Sequence, residues 1–415
     1  MSAASLGLFA GYGVELEYMI VSRASLDVLP VADQVLAAVA GEIVADVECG
    51  PLDWSNELVL HVIELKTSGP VGALDGLAET FQRDVARVNE LLLPLGGRLM
   101  PTGMHPWMDP LRETRLWPHE FSRIYETYNR IFGCRGYGWA NLQATHLNLA
   151  FAGDAEFGRL HAAIRLLLPI LPALAASSPI VGGQPTGIAD TRLEVYRTNS
   201  DRIPSIAGRV IPEPVFTRRD YEDGLLTALY RDIAPHDPEG VLRHEWLNAR
   251  GAIARFDRSA IEIRVLDIQE CPAADLALAE AIVRVLRTLV AERFATQAEQ
   301  RAWPVDRLAD LLLACLRQGE QTPIDDPDYL RLFGCPGTAI TAGELWRHLV
   351  AEHFHAECAA DAPFLGPLRV MVENGTLSSR ILRATGPAPD RARLAAVYGE
   401  LCRCLAEGRL FRGAG

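Results

Sequence analysis

Glu15 and Glu17 lie two residues apart in the otherwise apolar stretch Gly11-Tyr-Gly-Val-Glu-Leu-Glu-Tyr-Met-Ile-Val21. Side chains of a strand alternate between faces, so Gly13, Glu15 and Glu17 point one way and Val14, Leu16, Tyr18 and Ile20 the other. Like charges on one face repel, and burying them unpaired costs several kcal/mol. Two arrangements relieve this: a solvated strand face, or a cation held between the carboxylates. Oxygen ligands alone select a hard ion such as Mg²⁺. The pattern recurs in Glu57-Leu-Val-Leu-His-Val-Ile-Glu-Leu-Lys66, predicted as one strand. There Leu58, Leu60, Val62, Glu64 and Lys66 share a face opposite Glu57, Val59, His61, Ile63 and Leu65, so Glu57 and Glu64 meet only through a bend or bulge. Ala260-Ile-Glu-Ile-Arg-Val-Leu-Asp267 sets Glu262 and Arg264 together, with Ile261, Ile263 and Val265 opposite. Three such segments predict a sheet with one apolar side and one side that binds metal and anions.

The elements that must position these residues alternate along the chain, with no internal repeat or low-complexity tract. A short helix is predicted over residues 31–40, and an amphipathic helix over 74–93 that stops before Pro94 and Gly96-Gly97. Strands are predicted over 98–104 and 145–151, the second alternating strictly, with His146 and Asn148 on one face. A long helix over 156–177 follows, kinked at Pro169 and Pro172. Residues 186–214, rich in Gly, Pro, Asp and Arg, are predicted as a long loop of the lid or binding kind. From about residue 273 helices dominate.

Composition bounds the function classes. The chain has 415 residues, 49% of them hydrophobic, enough for one large α/β domain or two smaller ones. A formal net charge of −13 argues against nucleic acid or an anionic membrane as the main partner, while allowing a local basic pocket for phosphate. The eight cysteines are scattered without a C-x-x-C pair, which fits reduced thiols in a cytosol. Residues 1–10 carry no basic leader segment and run into the first strand, and no apolar run reaches the ~20 residues that span a bilayer. The expectation is a soluble, cytoplasmic protein. Neither a G-x-x-x-x-G-K-[ST] loop nor a G-x-G-x-x-G turn opening a helix is present. His353, His355 and Cys358 have H-x-H-x-x-C spacing but fall in what reads as an ordinary amphipathic helix over 345–358.

Six segments in order resemble the type 2 glutamate–cysteine ligase family and its carboxylate–amine ligase relatives. They are G-x-E-x-E at 13–17, V-I-E-L-K-T at 62–67, T-G-M-H-P at 102–106, T-H-L-N-L at 145–149, A-D-T-R with a further Arg at 189–197, and I-E-I-R-V-L-D at 261–267. The resemblance covers roughly residues 10–290 and rests on order and spacing rather than on one motif. It implies an α+β, glutamine-synthetase-like fold: a curved antiparallel β-sheet funnel backed by helices, with a mainly helical C-terminal region. Residues 1–290 would be the catalytic domain and 291–415 a helical extension packed on it. It further implies ATP as co-substrate, two or three Mg²⁺ ions, an amino acid or other small carboxylate as donor, and an amine acceptor, in a chain compatible with homo-oligomers. Carried over by position, Glu15, Glu17, Glu64 and Glu262 are metal ligands, with Glu57 as a further acidic ligand of variable spacing. His146 is a metal or phosphate ligand by resemblance, and a satisfied structural residue by its type alone. Lys66, His146, Asn148 and Arg264 fall at nucleotide-binding positions. Arg192, Arg197 and Arg264 match the family's basic catalytic positions, although Arg264 can instead pair with Glu262 across the sheet face and Arg197 can equally be an ordinary surface arginine of the loop.

The implied chemistry accounts for these residue types. A carboxylate does not react usefully with an amine at neutral pH, so its oxygen must first take the γ-phosphoryl group of ATP, and cations must neutralise the clustered phosphates. The acyl phosphate, for a glutamate donor a γ-glutamyl phosphate, is then attacked by the amine. Arginine suits the transferring group because its planar fork binds phosphate or carboxylate bidentately. No enzyme nucleophile is required. The competing readings are a phosphotransferase that stops at the phosphorylated carboxylate or guanidino group, a catalytically silent nucleotide- or metabolite-binding relative, and a metal-dependent hydrolase. Intact charged faces count against the silent relative, and the lack of an H-E-x-x-H set against the hydrolase. His105 is expected to shape the substrate pocket. Residues 106–119 depart from the family pattern, and Trp107, Trp117 and His119 there either line an acceptor pocket or form a packed loop.

Overall fold

Alternating polar and apolar residues build the long strand β1 (Tyr12–Ser22), which sits in the middle of an eight-stranded sheet in the computed structural model. The structure describes residues 6–413; residues 1–5 of the N-terminal stretch read above lie outside them. The other strands of the sheet are β2 (Asp46–Glu48), β3 (Leu52–Asn56), β4 (Val62–Thr67), β5 (Gly97–Met100) and β6 (Ala144–Ala150), followed after a separate hairpin of β7 (Ile180–Val181) and β8 (Gln184–Pro185) by β9 (Ala252–Arg255) and β10 (Ala260–Asp267). Their order is β2-β3-β4-β1-β6-β10-β9, with β5 also paired to β1, and every pairing is antiparallel.

Register decides which side chains meet. Glu17 lies opposite Glu64, Glu15 opposite His146, and Glu262 opposite Asn148, so charges from four strands collect on one face. Val14, Leu16, Tyr18, Ile63, Leu65, Leu147, Leu149, Ile261 and Ile263 occupy the other face and are buried. They join one hydrophobic core with Phe81 and Val85 of the helix Leu77–Leu92 and with the helices Gly153–Leu167 and Pro272–Val290. Each fully buried apolar side chain of this kind contributes ~1.5–3 kcal/mol.

Several sequence expectations change here. Residues 57–66 are not one strand. β3 ends at Asn56, and residues 58–60 leave the sheet to bridge the 115–117 segment, through Leu60 N–H to Arg115 O and Trp117 N–H to Leu58 O. The chain re-enters at Val62. The strand predicted over 98–104 stops at Met100, and Thr102 adopts a left-handed φ of 92°. The helix predicted over 156–177 is the helix Gly153–Leu167, a tight turn Leu168–Ile170 and the short helix Pro172–Ala175, broken at the two prolines as expected. The loop over 186–214 contains a helix, Thr191–Tyr196, capped by the Asp190 carboxylate accepting from Leu193 N–H. The four residues of β9 carry no strand pattern of their own. The helix predicted over 345–358 is Ala342–His353, ending before His355 and Cys358; none of the candidate metal groups among the described residues includes that trio.

The chain after residue 290 supplies further helices, including Val305–Gln318, Ala362–Asn374, Leu377–Thr385 and Arg391–Glu407. Leu308, Leu345, Trp346 and Leu405 belong to the same core as the sheet. A fully buried ion pair between Arg380 and Glu270 fastens the C-terminal helices to the end of β10. All eight cysteines are unpaired. Among the described residues no helix is long and apolar enough to cross a membrane.

Candidate active site

The charged face of the sheet floors two adjoining cavities. One, of about 1080 Å³, is lined by Glu15, Glu64, Lys66, Asn148 and Glu262. The other, of about 540 Å³, is lined by Arg192 and several aromatic side chains. Glu17, Glu57, His146, Arg255, Arg258 and Arg264 line both. The bend that Glu57 and Glu64 require is the departure of the chain after β3, which carries Glu57 back over the site.

His146 stands at the centre of the acids. Its Nδ1 lies 3.1 Å from Glu15 Oε2 and 4.0 Å from Glu262 Oε1, and its Nε2 lies 3.8 Å from Glu17 Oε1. Ligand atoms of Glu15, His146 and Glu262 fall within 4.8 Å of one another, as do those of Glu17, Glu64 and His146. Neighbours fix the carboxylates. Asn148 Nδ2 donates to Glu15 at 2.9 Å, Ala144 N–H to Glu17 at 2.7 Å, and Ser55 Oγ to Glu64 at 2.6 Å.

Crowding sets the protonation. Burial and then the Glu15 charge push Glu64 up to about 7. Burial, Glu17 and Glu64 hold Glu57 well above the usual carboxylate range. Burial disfavours charge on both His146 and Glu15, but their mutual hydrogen bond and charges raise His146 to about 9 and lower Glu15 to about 2. The protonated ring thus does electrostatically what a cation would do among these acids. Carboxylate oxygens in excess of neutralising charge fit a hard divalent ion such as Mg²⁺, with Glu15, Glu17, Glu64 and Glu262 as the side chains able to hold it and a His146 ring nitrogen joining them only when the ion displaces its proton.

The basic side chains divide. Lys66 Nζ lies 2.7 Å from Asp46, donates to Ser55 Oγ at 2.8 Å and lies 3.3 Å from Glu64. Arg264 makes the pair with Glu262 that its sequence allowed, Nε to Oε1 at 2.9 Å, and still lines both cavities. Arg192 is buried. Its Nε donates to Asp267 at 2.5 Å and its Nη2 to Arg264 O at 3.3 Å, and Asp267 is in turn held by Ser177 N–H and Ser178 Oγ. Arg197 does not join them: its Nε and Nη2 pair with Glu194 on its own helix at 2.9 and 2.5 Å, and it reaches neither cavity. It behaves as the loop arginine of its alternative reading.

His105 is fully buried away from both cavities, with Nε2 bonded to Leu26 O and Nδ1 accepting from Met108 N–H, and burial lowers it to about 4. It holds a turn rather than shaping the pocket. Residues 106–119 form the packed loop. Trp117 is core, Trp107 lies under the Arg391 guanidinium, and His119 pairs with Asp33. The residues missed from the sequence are Arg255, Arg258 and the aromatic lining of the smaller cavity, including Tyr125, Tyr128, Trp139 and Trp246. Arg255 Nη1 lies 3.3 Å from Glu262. Arg258, in the turn leading into Ile-Glu-Ile-Arg, was a usable signal; Arg255, the last residue of the short β9, was not. Tyr125 and Tyr128, three apart on the helix Ser122–Phe132, were a weaker one.

A helix-backed antiparallel sheet bearing carboxylates and arginines on its open face is the architecture of the glutamine-synthetase-like class. The sequence profile described as "Glutamate-cysteine ligase family 2 (GCS2)" matches residues 12–400, and the chain belongs to that family. It is 33% identical over 400 residues to an uncharacterised protein of Archaeoglobus fulgidus, covering 96% of this chain and 99% of that one. It is 28% identical over 188 residues to "Putative glutamate–cysteine ligase 2-3" of Rubrobacter xylanophilus, covering 44% of this chain and 47% of that one. Among solved structures, the glutamate–cysteine ligase of Francisella tularensis in complex with AMP matches with a TM-score of 0.60 at 14% identity, over 99% of this chain and 91% of that one. At that identity the match establishes the shared fold.

Proposed function

We propose that the protein is an ATP-dependent carboxylate–amine ligase that activates a small carboxylic acid, with the γ-carboxylate of glutamate as the first choice, as an acyl phosphate and passes it to an amine. The observation that carries this is the gathering of Glu15, Glu17, Glu57, Glu64 and Glu262 around His146, with Arg192, Arg255 and Arg264 beside them, at the junction of two cavities. One cavity suits a nucleotide and the other the acid and amine. Membership of a ligase family and a shared fold with a ligase solved with AMP support the assignment.

In this reading the carboxylate oxygen attacks the γ-phosphorus and ADP leaves. The amine nitrogen then attacks the acyl carbon, releases its proton, and phosphate departs with the electrons of the C–O bond. Two or three Mg²⁺ ions, when bound by the acidic side chains, supply charge neutralisation for the phosphates. Arg264 and Arg255, at the junction, hold the transferring group, and Lys66 and Asn148 line the nucleotide side. Arg192, anchored on Asp267, presents its guanidinium to the acid. Glu57 lines both cavities beside the acids, and the proton that the amine releases leaves with phosphate or to solvent. Residues 1–290 form the catalytic unit in this proposal and 291–415 the extension that buttresses it, in a reducing cytoplasm that suits unpaired cysteines.

The test is to incubate purified protein with Mg²⁺–ATP, glutamate and a pool of amines, and to follow nucleotide products and new amide masses. ADP, phosphate and an amide are expected, with no turnover in EDTA. AMP with pyrophosphate would reject the acyl phosphate. ADP with a stable phosphorylated acid and no amide would identify a kinase instead.

A further inference from the structure

The smaller cavity has a lining that amide formation alone does not call for. Its charged residues come from the sheet, from Glu57 beside it, from Arg258 in the turn between β9 and β10, and from Arg192. Every lining residue contributed by segments 121–142 and 246–249 is aromatic or aliphatic. The Tyr128 ring lies 5.1 Å from Trp139 and 6.0 Å from Trp246, so three rings make one continuous surface. None of the three is fully buried. At the rim, Phe121 is 50% exposed, the only aromatic among the exposed large hydrophobics of the described residues. Its φ of 69° lies in the left-handed region, which costs energy for a residue with a β-carbon. Phe121 is the N-cap of the helix Ser122–Phe132, its O accepting from Ile124 N–H at 2.9 Å, and this helix start leaves the ring at the cavity mouth where an entering ligand meets it.

We propose that this chamber receives an amine acceptor with an aromatic or comparably bulky apolar body, in preference to cysteine or another small polar amino acid. The proposal rests on the ligase reading above and names the acceptor class for it. Apolar rings in water gain by burial against an apolar body, and a small polar acceptor would leave them hydrated. Aromatic faces also attract an ammonium group on its approach, before it loses its proton. The space, about 540 Å³, holds an aryl amine together with the activated acyl group. The reaction is unchanged: the amine nitrogen bonds to the acyl carbon and phosphate leaves.

Two measurements on the full chain test this, with 2-phenylethylamine and cysteine as probes. One is quenching of tryptophan fluorescence on titration without nucleotide; the other is amide formation with Mg²⁺–ATP and glutamate. Saturable quenching by 2-phenylethylamine is expected, with kcat/KM at least about tenfold above that for cysteine. Trp246→Ala and Tyr128→Ala should each raise KM for the aryl amine about tenfold, more than they move KM for ATP, and Trp246→Phe should recover most of the loss. Absence of saturable binding, a higher kcat/KM for cysteine, or equal effects of the alanine variants on both amines overturns the proposal. Saturable binding that Trp246→Ala weakens, with no amide formed from any donor, supports the aryl-amine site and overturns the ligase reading instead.

Discussion

His146 is held in place by the acids it neutralises, Glu17 by a backbone donor, Glu15 by an amide, Glu64 by a hydroxyl and Glu262 by two arginines, so the site is shaped before any cation arrives. This makes isosteric substitution informative. Glu17→Gln keeps an oxygen for Ala144 N–H, and Glu262→Gln keeps one for Arg264, yet each removes a charge. Turnover is expected to fall at least ~10²-fold in each; the melting temperature should hold or rise for Glu17→Gln, where a like charge leaves a crowded cluster, and fall for Glu262→Gln, which weakens the pairs with Arg264 and Arg255. ADP release and thermal melting read this out; wild-type activity in both variants would remove the metal-sheet assignment. These residues were legible because charge inside an apolar strand violates the pattern that folding alone would favour. Arg255 was not, because β9 is too short to show a period. Arg197 was misplaced because a sequence cannot show that Glu194, three residues back, would hold its guanidinium. Aromatic residues spread over the helix Ser122–Phe132, the short helix Tyr137–Ala140 and the helical turn Glu245–Leu247 look like core until the cavity between them is seen.

Elements hold the basic side of the site through contacts distant in sequence. Arg192 reaches the chamber because Asp267, at the end of β10, receives its Nε, and Gly103 leaves room for that carboxylate. A β-carbon on Gly103 would stand 2.5 Å from Asp267 Cγ and Oδ1. Gly103→Ala is therefore expected to cost about 1–3 kcal/mol by overpacking, and to lower kcat by displacing Arg192. Urea unfolding and steady-state rates check it, and wild-type stability would show that the loop shifts freely. On the other side, Arg380→Ala leaves Glu270 charged, buried and unpaired, a loss of about 3–5 kcal/mol. The double variant Arg380→Ala with Glu270→Ala should lose less than the sum of the singles; simple additivity would mean that the pair is not coupled. Strand β10 could be read from its alternation. The break after Asn56 could not, since residues 58–60 have the same apolar spacing whether they pair with β1 or, as they do, with the 115–117 segment.

At the scale of the molecule, the helix Pro272–Val290 is the hub. It packs against the helices Leu77–Leu92, Gly153–Leu167 and Ala362–Asn374, joining the sheet to the C-terminal layer. Its periodicity was visible in the sequence, but nothing there showed that its first turn buries a carboxyl group. Asp275 accepts from Thr145 Oγ1 of β6 at 2.6 Å and from Gln269 N–H at 2.9 Å. Burial outweighs these hydrogen bonds and raises its carboxyl to about 8. Between its unfolded value near 4 and about 8, the native protein keeps a proton that the unfolded chain has released. Stability from this group is therefore complete below pH ~4, declines as pH rises, and levels off above about 8, by up to about 1.4 kcal/mol per pH unit. Asp275→Asn cannot titrate, and its difference from wild type cancels the other buried acids and histidines. The variant should thus gain on wild type steadily from pH 5 to pH 8, whatever fixed offset the amide introduces. Urea unfolding of both proteins at pH 5, 6, 7 and 8 measures the difference, and a gap that stays constant across that range would show that Asp275 is ionised in the native fold.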